Sequence, residues 1–169
     1  MNAVLDAWNK ADEAEAISAM IACCGARRWA EGMVALRPIE NVFALSEAAD
    51  RVWAAMEEPD WMEAFACHPR IGERNVSHAT AQSAAWSRQE QSSVTQAEQQ
   101  VLDELAAGNA LYEQRFGFTY IVCATGKSAE EMLEILNRRL SCDRASELRE
   151  AAEQQRQITQ IRLGKWLIQ

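Results

Sequence analysis

The sequence predicts an all-α fold: a single domain over residues 1–169, with about eight helices and one short extended segment near residues 119–124. Three observations predict it. Apolar residues recur at helical spacing through most of the chain. Side chains with capping chemistry stand just ahead of several of these stripes. Only three prolines and seven glycines interrupt 169 residues, and good helix formers such as Ala, Glu, Gln, Leu and Arg dominate.

The first strong helix starts near Asp12. Asp12 and Glu15 have capping-box spacing, and Ile17, Met20, Ile21 and Cys24 then share a face. Gly25 is a natural stop, because many helices end in the left-handed conformation that glycine adopts freely. A short helix around Arg27 to Met33 follows and ends before Pro38. Ser46 is expected to cap the next, with Ala49, Val52, Trp53 and Met56 as its stripe and Pro59 just beyond it. Asp60 and Glu63 repeat the capping spacing, and Trp61, Ala64, Phe65 and His68 fall on one face. Pro69 forces His68 out of regular helix, because the residue before a proline disfavours the α region. His68 therefore stands at a helix end, followed by the turn Arg70-Ile71-Gly72. Glu73 to Ala79 is polar and reads as a loop, which includes His78.

A helix within Thr80 to Ser93 carries Ser87, Glu90 and Gln91, which share a face at spacings of three and four. A long helix from near Thr95 to Phe116 buries Val101, Leu102, Leu105, Asn109 and Tyr112, and Gly117 ends it. Thr119-Tyr120-Ile121-Val122-Cys123 is β-branched and aromatic, which favours extended chain. One such segment cannot form a sheet alone. Its backbone donors and acceptors need other partners, and a ligand is one candidate. Ser128 and Glu131 cap a helix carrying Met132, Leu133, Leu136 and Leu140. A last long helix from near Asp143 turns Leu148, Ala152, Ile158, Ile161 and Arg162 inward.

Composition excludes several classes of function. A net charge of −8 argues against a nucleic-acid partner, since phosphate binding needs a basic surface. Five cysteines without a CxxC pair, and only two histidines, argue against a disulfide framework and a structural zinc site. No apolar run approaches the ~18 residues of a membrane span. The chain ends Trp166-Leu167-Ile168-Gln169, unlike a peroxisomal SKL-type tail, so a bacterial cytosol is the expected location. GxGxxG, P-loop, HExxH and GxSxG motifs are absent.

What remains is a set of polar residues in apolar surroundings. His68 ends an amphipathic helix beside Trp61 and Phe65. Arg162 stands between Ile161 and Leu163. Glu90 and Gln91 lie on a helix with a weak apolar face. Taken singly, each is more often structural or solvated than functional, and Tyr120 and Val122 are more often core.

Together their surroundings resemble one family. Phe65-Ala66-Cys67-His68-Pro69-Arg70-Ile71-Gly72 resembles the HPRIG signature of the OHCU decarboxylases. Ser87-Arg88-Gln89-Glu90-Gln91 is similar to the family's SxxEQ element, and Asn109 to Phe118 to its NxxYxxxFGF element. Tyr120-Ile121-Val122-Cys123-Ala124 resembles the extended piece that follows. Glu147-Leu148 and Ile158-Thr159-Gln160-Ile161-Arg162-Leu163 resemble the closing ExL…IxxIRL helix. The N-terminal third departs more: where many relatives carry Glu-x-Ser-x-Trp, this chain has Cys24-Gly25-Ala26-Arg27-Arg28-Trp29.

The resemblance implies an all-helical homodimer without metal or organic cofactor. It would convert 2-oxo-4-hydroxy-4-carboxy-5-ureidoimidazoline (OHCU) to (S)-allantoin and carbon dioxide in uric acid breakdown. His68, Glu90 and Arg162 would be the catalytic residues. Pro69, Ser87, Arg88, Gln89, Glu90, Gln91, Tyr120, Ile121, Val122, Cys123, Ala124 and Arg162 would bind the substrate. The chemistry suits such a set. Decarboxylation needs an electron sink, and the imine-like ring carbon beside the carboxylated one supplies it without pyridoxal phosphate or thiamine. The rival readings are a different lyase or isomerase on the same scaffold, and a helical binding module without activity. Optically active allantoin, made from fresh OHCU, separates the decarboxylase from both. Activity is expected to survive dialysis against EDTA; loss in EDTA with recovery on added zinc would contradict a metal-free site.

Overall fold

Local capping chemistry sets most of the helix boundaries. A computed structural model describes the chain over residues 2–73 and 79–169, with the side chains of residues 95 and 96 excepted. Nine α-helices occur among the described residues, and each segment expected to be helical is one of them. They are α1 Ala3–Lys10, α2 Glu13–Cys24, α3 Arg27–Ala35, α4 Val42–Ala54, α5 Glu58–Ala66, α6 Ala81–Glu90, α7 Gln99–Phe116, α8 Ala129–Arg139 and α9 Arg144–Trp166. The helix beyond the expected count of about eight is α1. It is eight residues long and capped by Asn2, whose side chain accepts from the Leu5 N–H. So short a stripe, Leu5 and Trp8, gives little periodic signal.

The Asp12 side chain caps α2 by accepting from the Glu15 N–H, and Gly25 ends it at φ 94°. Such a cap contributes ~1 kcal/mol. Ser128 and Glu131 form a reciprocal capping box on α8. Three boundaries differ from expectation. Asn41, not Ser46, caps α4. Ser46 lies inside that helix and donates its hydroxyl to Gln160 Oε1 at 2.8 Å. α5 begins at Glu58 rather than at an Asp60 cap, and Pro59 occupies its first turn, where a missing N–H costs nothing. α7 starts at Gln99, because a 3-10 helix, Ser92–Gln96, precedes it. No helix among the described residues is long and apolar enough to cross a membrane.

The helices gather into two compact units, residues 1–64 with 156–169 and residues 65–155. In the first, α3 packs between α2 and α4. Trp29 is fully buried and donates its indole N–H to the Ala49 carbonyl at 3.1 Å. Trp8 donates to the Ala16 carbonyl at 3.0 Å and meets Trp166 edge to face at 6.0 Å. Asp50 accepts from Arg156 at 3.1 Å and from Gln160 at 2.8 Å.

In the second unit, α7 packs on α8. A Cβ at Gly108 would stand 2.6 Å from Leu136 Cδ2, so any larger residue here would force the Leu136 side chain to shift. Phe65, Tyr112, Phe116, Phe118 and Tyr120 form an aromatic cluster, with Tyr112 4.6–5.7 Å from the rings of Phe116, Phe118 and Tyr120. Each such ring pair adds ~0.5–1.5 kcal/mol beyond area burial. Beside it lies a buried ion pair. Arg139 on α8 is 4% exposed and Glu147 on α9 is 1% exposed. The Arg139 Nε donates to Glu147 Oε1 at 2.5 Å, and the Tyr112 hydroxyl donates to the same oxygen at 2.5 Å.

Arg139→Leu would leave the Glu147 carboxylate buried without its cation. A loss of ~3–5 kcal/mol in urea unfolding is expected, with the double variant Arg139→Leu/Glu147→Leu recovering much of it. A single variant as stable as the parent would show that the pair carries little.

Candidate active site

The site is built from a helix end, a turn and the segment that follows α7. α5 ends at Ala66, and the His68 N–H closes the last turn on the Phe65 carbonyl at 3.1 Å. His68 is half-buried and Pro69 is buried. The turn then closes through the Glu73 N–H on the Arg70 carbonyl at 2.9 Å, with Gly72 at φ 93°. Two anchors hold the turn. Arg70 grips Glu113 of α7 with two parallel bonds of 2.7 and 2.5 Å. Gln91 Oε1 accepts from the Gly72 N–H at 2.9 Å. The HPRIG-like and SxxEQ-like elements are therefore joined directly, and the Gln91 side-chain oxygen already serves the protein.

His68 Nε2 stands 2.7 Å from Oε1 of Gln155, an α9 side chain with 0% exposure. Sequence reasoning missed Gln155. The available signal was its place in the stripe Leu148, Ala152, Gln155, Thr159, Arg162, which repeats at spacings of four and three and is buried throughout. A glutamine on such a stripe needs a polar partner.

On α6, Ser87 is buried and Glu90 is half-buried, while Arg88 and Gln89 are exposed. A cavity of about 490 Å³ is lined by Gly72, Arg88, Gln91 and Asn109 among others. It includes Arg88 and Gln91 of the expected residues, but not His68, Ser87 or Glu90. His68 lies outside that lining and brings a titratable ring with a buried polar partner.

Tyr120 to Ala124 is buried and irregular, with no strand among the described residues. Its backbone is held by side chains. Arg139 Nη1 donates to the Ile121 carbonyl at 2.6 Å. The Cys123 N–H donates to Gln154 Oε1 at 2.8 Å, and Lys127 Nζ donates to the Cys123 carbonyl at 2.8 Å. The Tyr120 hydroxyl donates to the Met132 carbonyl at 3.0 Å. Burial pushes the Tyr112 and Tyr120 phenols up, which keeps both neutral as donors. The Ala124 carbonyl also accepts from the Lys127 N–H at 3.0 Å. Four backbone groups expected to be open to a ligand are thus engaged by the protein.

Arg162 belongs to the other unit, where it is 1% exposed. Its charge opposes the effect of burial on the Cys23 thiol, but burial prevails and pushes that thiol up to about 12. His78 lies outside the described residues.

The uric acid degradation bifunctional protein TTL of Arabidopsis thaliana is 35% identical over 144 residues, 85% of this chain and 44% of that protein. The 2-oxo-4-hydroxy-4-carboxy-5-ureidoimidazoline decarboxylase of Amia calva is 31% identical over 97 residues, 57% of this chain and 55% of that one. The chain thus spans about half, or less, of the length of these curated relatives. A crystal structure of an OHCU decarboxylase in the presence of (S)-allantoin matches with a TM-score of 0.76 and 31% identity, covering 88% of this chain and 96% of that one. An (S)-allantoin synthase structure, 19% identical with a TM-score of 0.70, shares the fold and covers 96% of this chain and 53% of that one. A model of the family described as OHCU decarboxylase matches residues 9–164. This chain belongs to the OHCU decarboxylase family.

Proposed function

We propose that this protein decarboxylates OHCU to (S)-allantoin and carbon dioxide, as a step of uric acid degradation, without metal or organic cofactor. The observation that carries this reading is the match along 96% of a decarboxylase crystallised in the presence of (S)-allantoin. The order of the HPRIG-like, SxxEQ-like and closing-helix elements supports it.

The electrons balance within the substrate. The bond from ring carbon 4 to the carboxylate breaks, and its pair forms a double bond to carbon 5. The former C5=N pair moves to nitrogen, which takes a proton. The resulting enol becomes a ketone when its hydroxyl loses a proton and carbon 5 gains one. Delivery of that proton to a single face makes the product chiral, and this is the enzyme's distinctive task.

His68 is the proton carrier in this reading, since imidazole titrates near neutral pH and is held in a fixed place. Glu90, at the end of α6, is assigned the role of favouring the charged ring. Arg162 is assigned to the oxygen that gains charge. A guanidinium that held only the ground-state carboxylate would oppose its loss. Pro69, Ser87 and the unengaged backbone groups of residues 120–124 form the proposed walls. The whole chain acts as one catalytic domain, in the cytosol of a bacterium, and works as a homodimer. The exposed Val42 and Phe43 at the start of α4 support self-association. Light scattering at micromolar concentration is expected to give twice the chain mass; the mass of one chain would contradict the dimer.

His68→Asn is expected to slow stereospecific allantoin formation at least about a hundredfold while preserving the thermal melt. His78→Asn, at the other histidine, is the control. A folded His68 variant near the parent rate would remove His68 as the proton carrier. Arg162→Lys keeps the charge but loses the planar fork. A fall in kcat/KM equivalent to ~1.5–3 kcal/mol is expected, and an unchanged value would make Arg162 structural.

A further inference from the structure

We infer that Gln155 is a positioning residue for His68: its buried side-chain oxygen accepts from Nε2–H and leaves Nδ1 as the nitrogen that gives and takes the catalytic proton. The inference rests on the reading of His68 as proton carrier and goes beyond it by assigning the working nitrogen.

An amide oxygen accepts hydrogen bonds and cannot donate them. A ring nitrogen 2.7 Å from Gln155 Oε1 therefore carries a proton in both charge states of the imidazole. In the neutral ring the lone pair then lies on Nδ1, so only Nδ1 can pick up a proton and hand it on. The contact is well placed to enforce this. Gln155 has 0% exposure, so water does not compete for its oxygen as it would at the surface. Its oxygen is also uncharged. A carboxylate there would hold the imidazolium, whereas an amide fixes the orientation and still lets the proton leave.

The neighbouring residue links this contact to the proposed substrate wall. Gln154 Oε1 accepts from the Cys123 N–H at 2.8 Å, and its amide NH₂ donates to Glu150 at 2.9 Å. One turn of α9 thus holds both the histidine ring and the 120–124 segment.

The test is nitrogen-15 spectroscopy of the histidine rings, above the pH at which His68 titrates. Because His68 and His78 are the only two histidines, His78→Asn assigns the signals. The parent is expected to show His68 with a protonated Nε2 bearing a slowly exchanging proton, and a bare Nδ1. Gln155→Leu should lose the slow proton and mix the tautomers. It should also lower kcat roughly three- to tenfold, with little change in KM, as expected for one lost hydrogen bond. Gln155→Glu keeps an acceptor and should keep the slow proton. A parent spectrum with the proton on Nδ1 would overturn the inference whether or not any variant folds. So would a Gln155→Leu protein with the parent tautomer or the parent kcat. An active His68→Asn protein would instead refute the proton-carrier reading, whatever the spectrum showed.

Discussion

The buried pair of Arg139 and Glu147 is the constraint on which the second unit depends. Taking two ions out of water costs several kcal/mol each, and the hydrogen bonds the two side chains make offset that cost. Arg139 bonds Glu147 and the Ile121 carbonyl, and its guanidinium lies 4.9 Å from the centre of the Tyr120 ring. Tyr112 completes the Glu147 side. Residues 119–124 have no sheet to join among the described residues, so much of their backbone polarity is met by side chains. The ion pair meets part of it and thereby fixes the wall beside which the proposed chemistry takes place.

α9 serves the same end along its length. Glu147, Gln154 and Gln155 reach Arg139, Cys123 and His68 in one unit. Arg156 and Gln160 reach Asp50 in the other. A helix so rich in inward polar side chains gains less from apolar burial than an ordinary amphipathic one. What it gains instead is register, since each of these bonds is satisfied at one axial position only.

Most of the fold was legible because capping is local. Asp12 with Glu15, Gly25, and Ser128 with Glu131 mark their helix ends by chemistry within four residues. Misplaced boundaries came from competing local signals. Ser46 offers a capping hydroxyl but spends it on Gln160, 114 residues away in sequence. Pro59 looks like a break and is instead a first-turn residue. In the site, His68 was legible through Pro69 and the turn that follows. Gln155 was not, because its reason for being polar lies 87 residues away in sequence. The engagement of Ile121 by Arg139 and of Cys123 by Gln154, 18 and 31 residues away in sequence, was hidden for the same reason. A backbone group in need of a partner can be read from sequence, but the partner cannot.

The proposed function turns on one claim, that this chain delivers a proton to one face of the enol and so makes a single enantiomer. The most direct measurement is circular dichroism on freshly generated OHCU mixed with the purified protein, since the uncatalysed reaction gives racemic allantoin. A growing signal of (S)-allantoin, at a rate proportional to protein concentration, is the expected result. Allantoin that appears without optical activity, or at the uncatalysed rate, would contradict it.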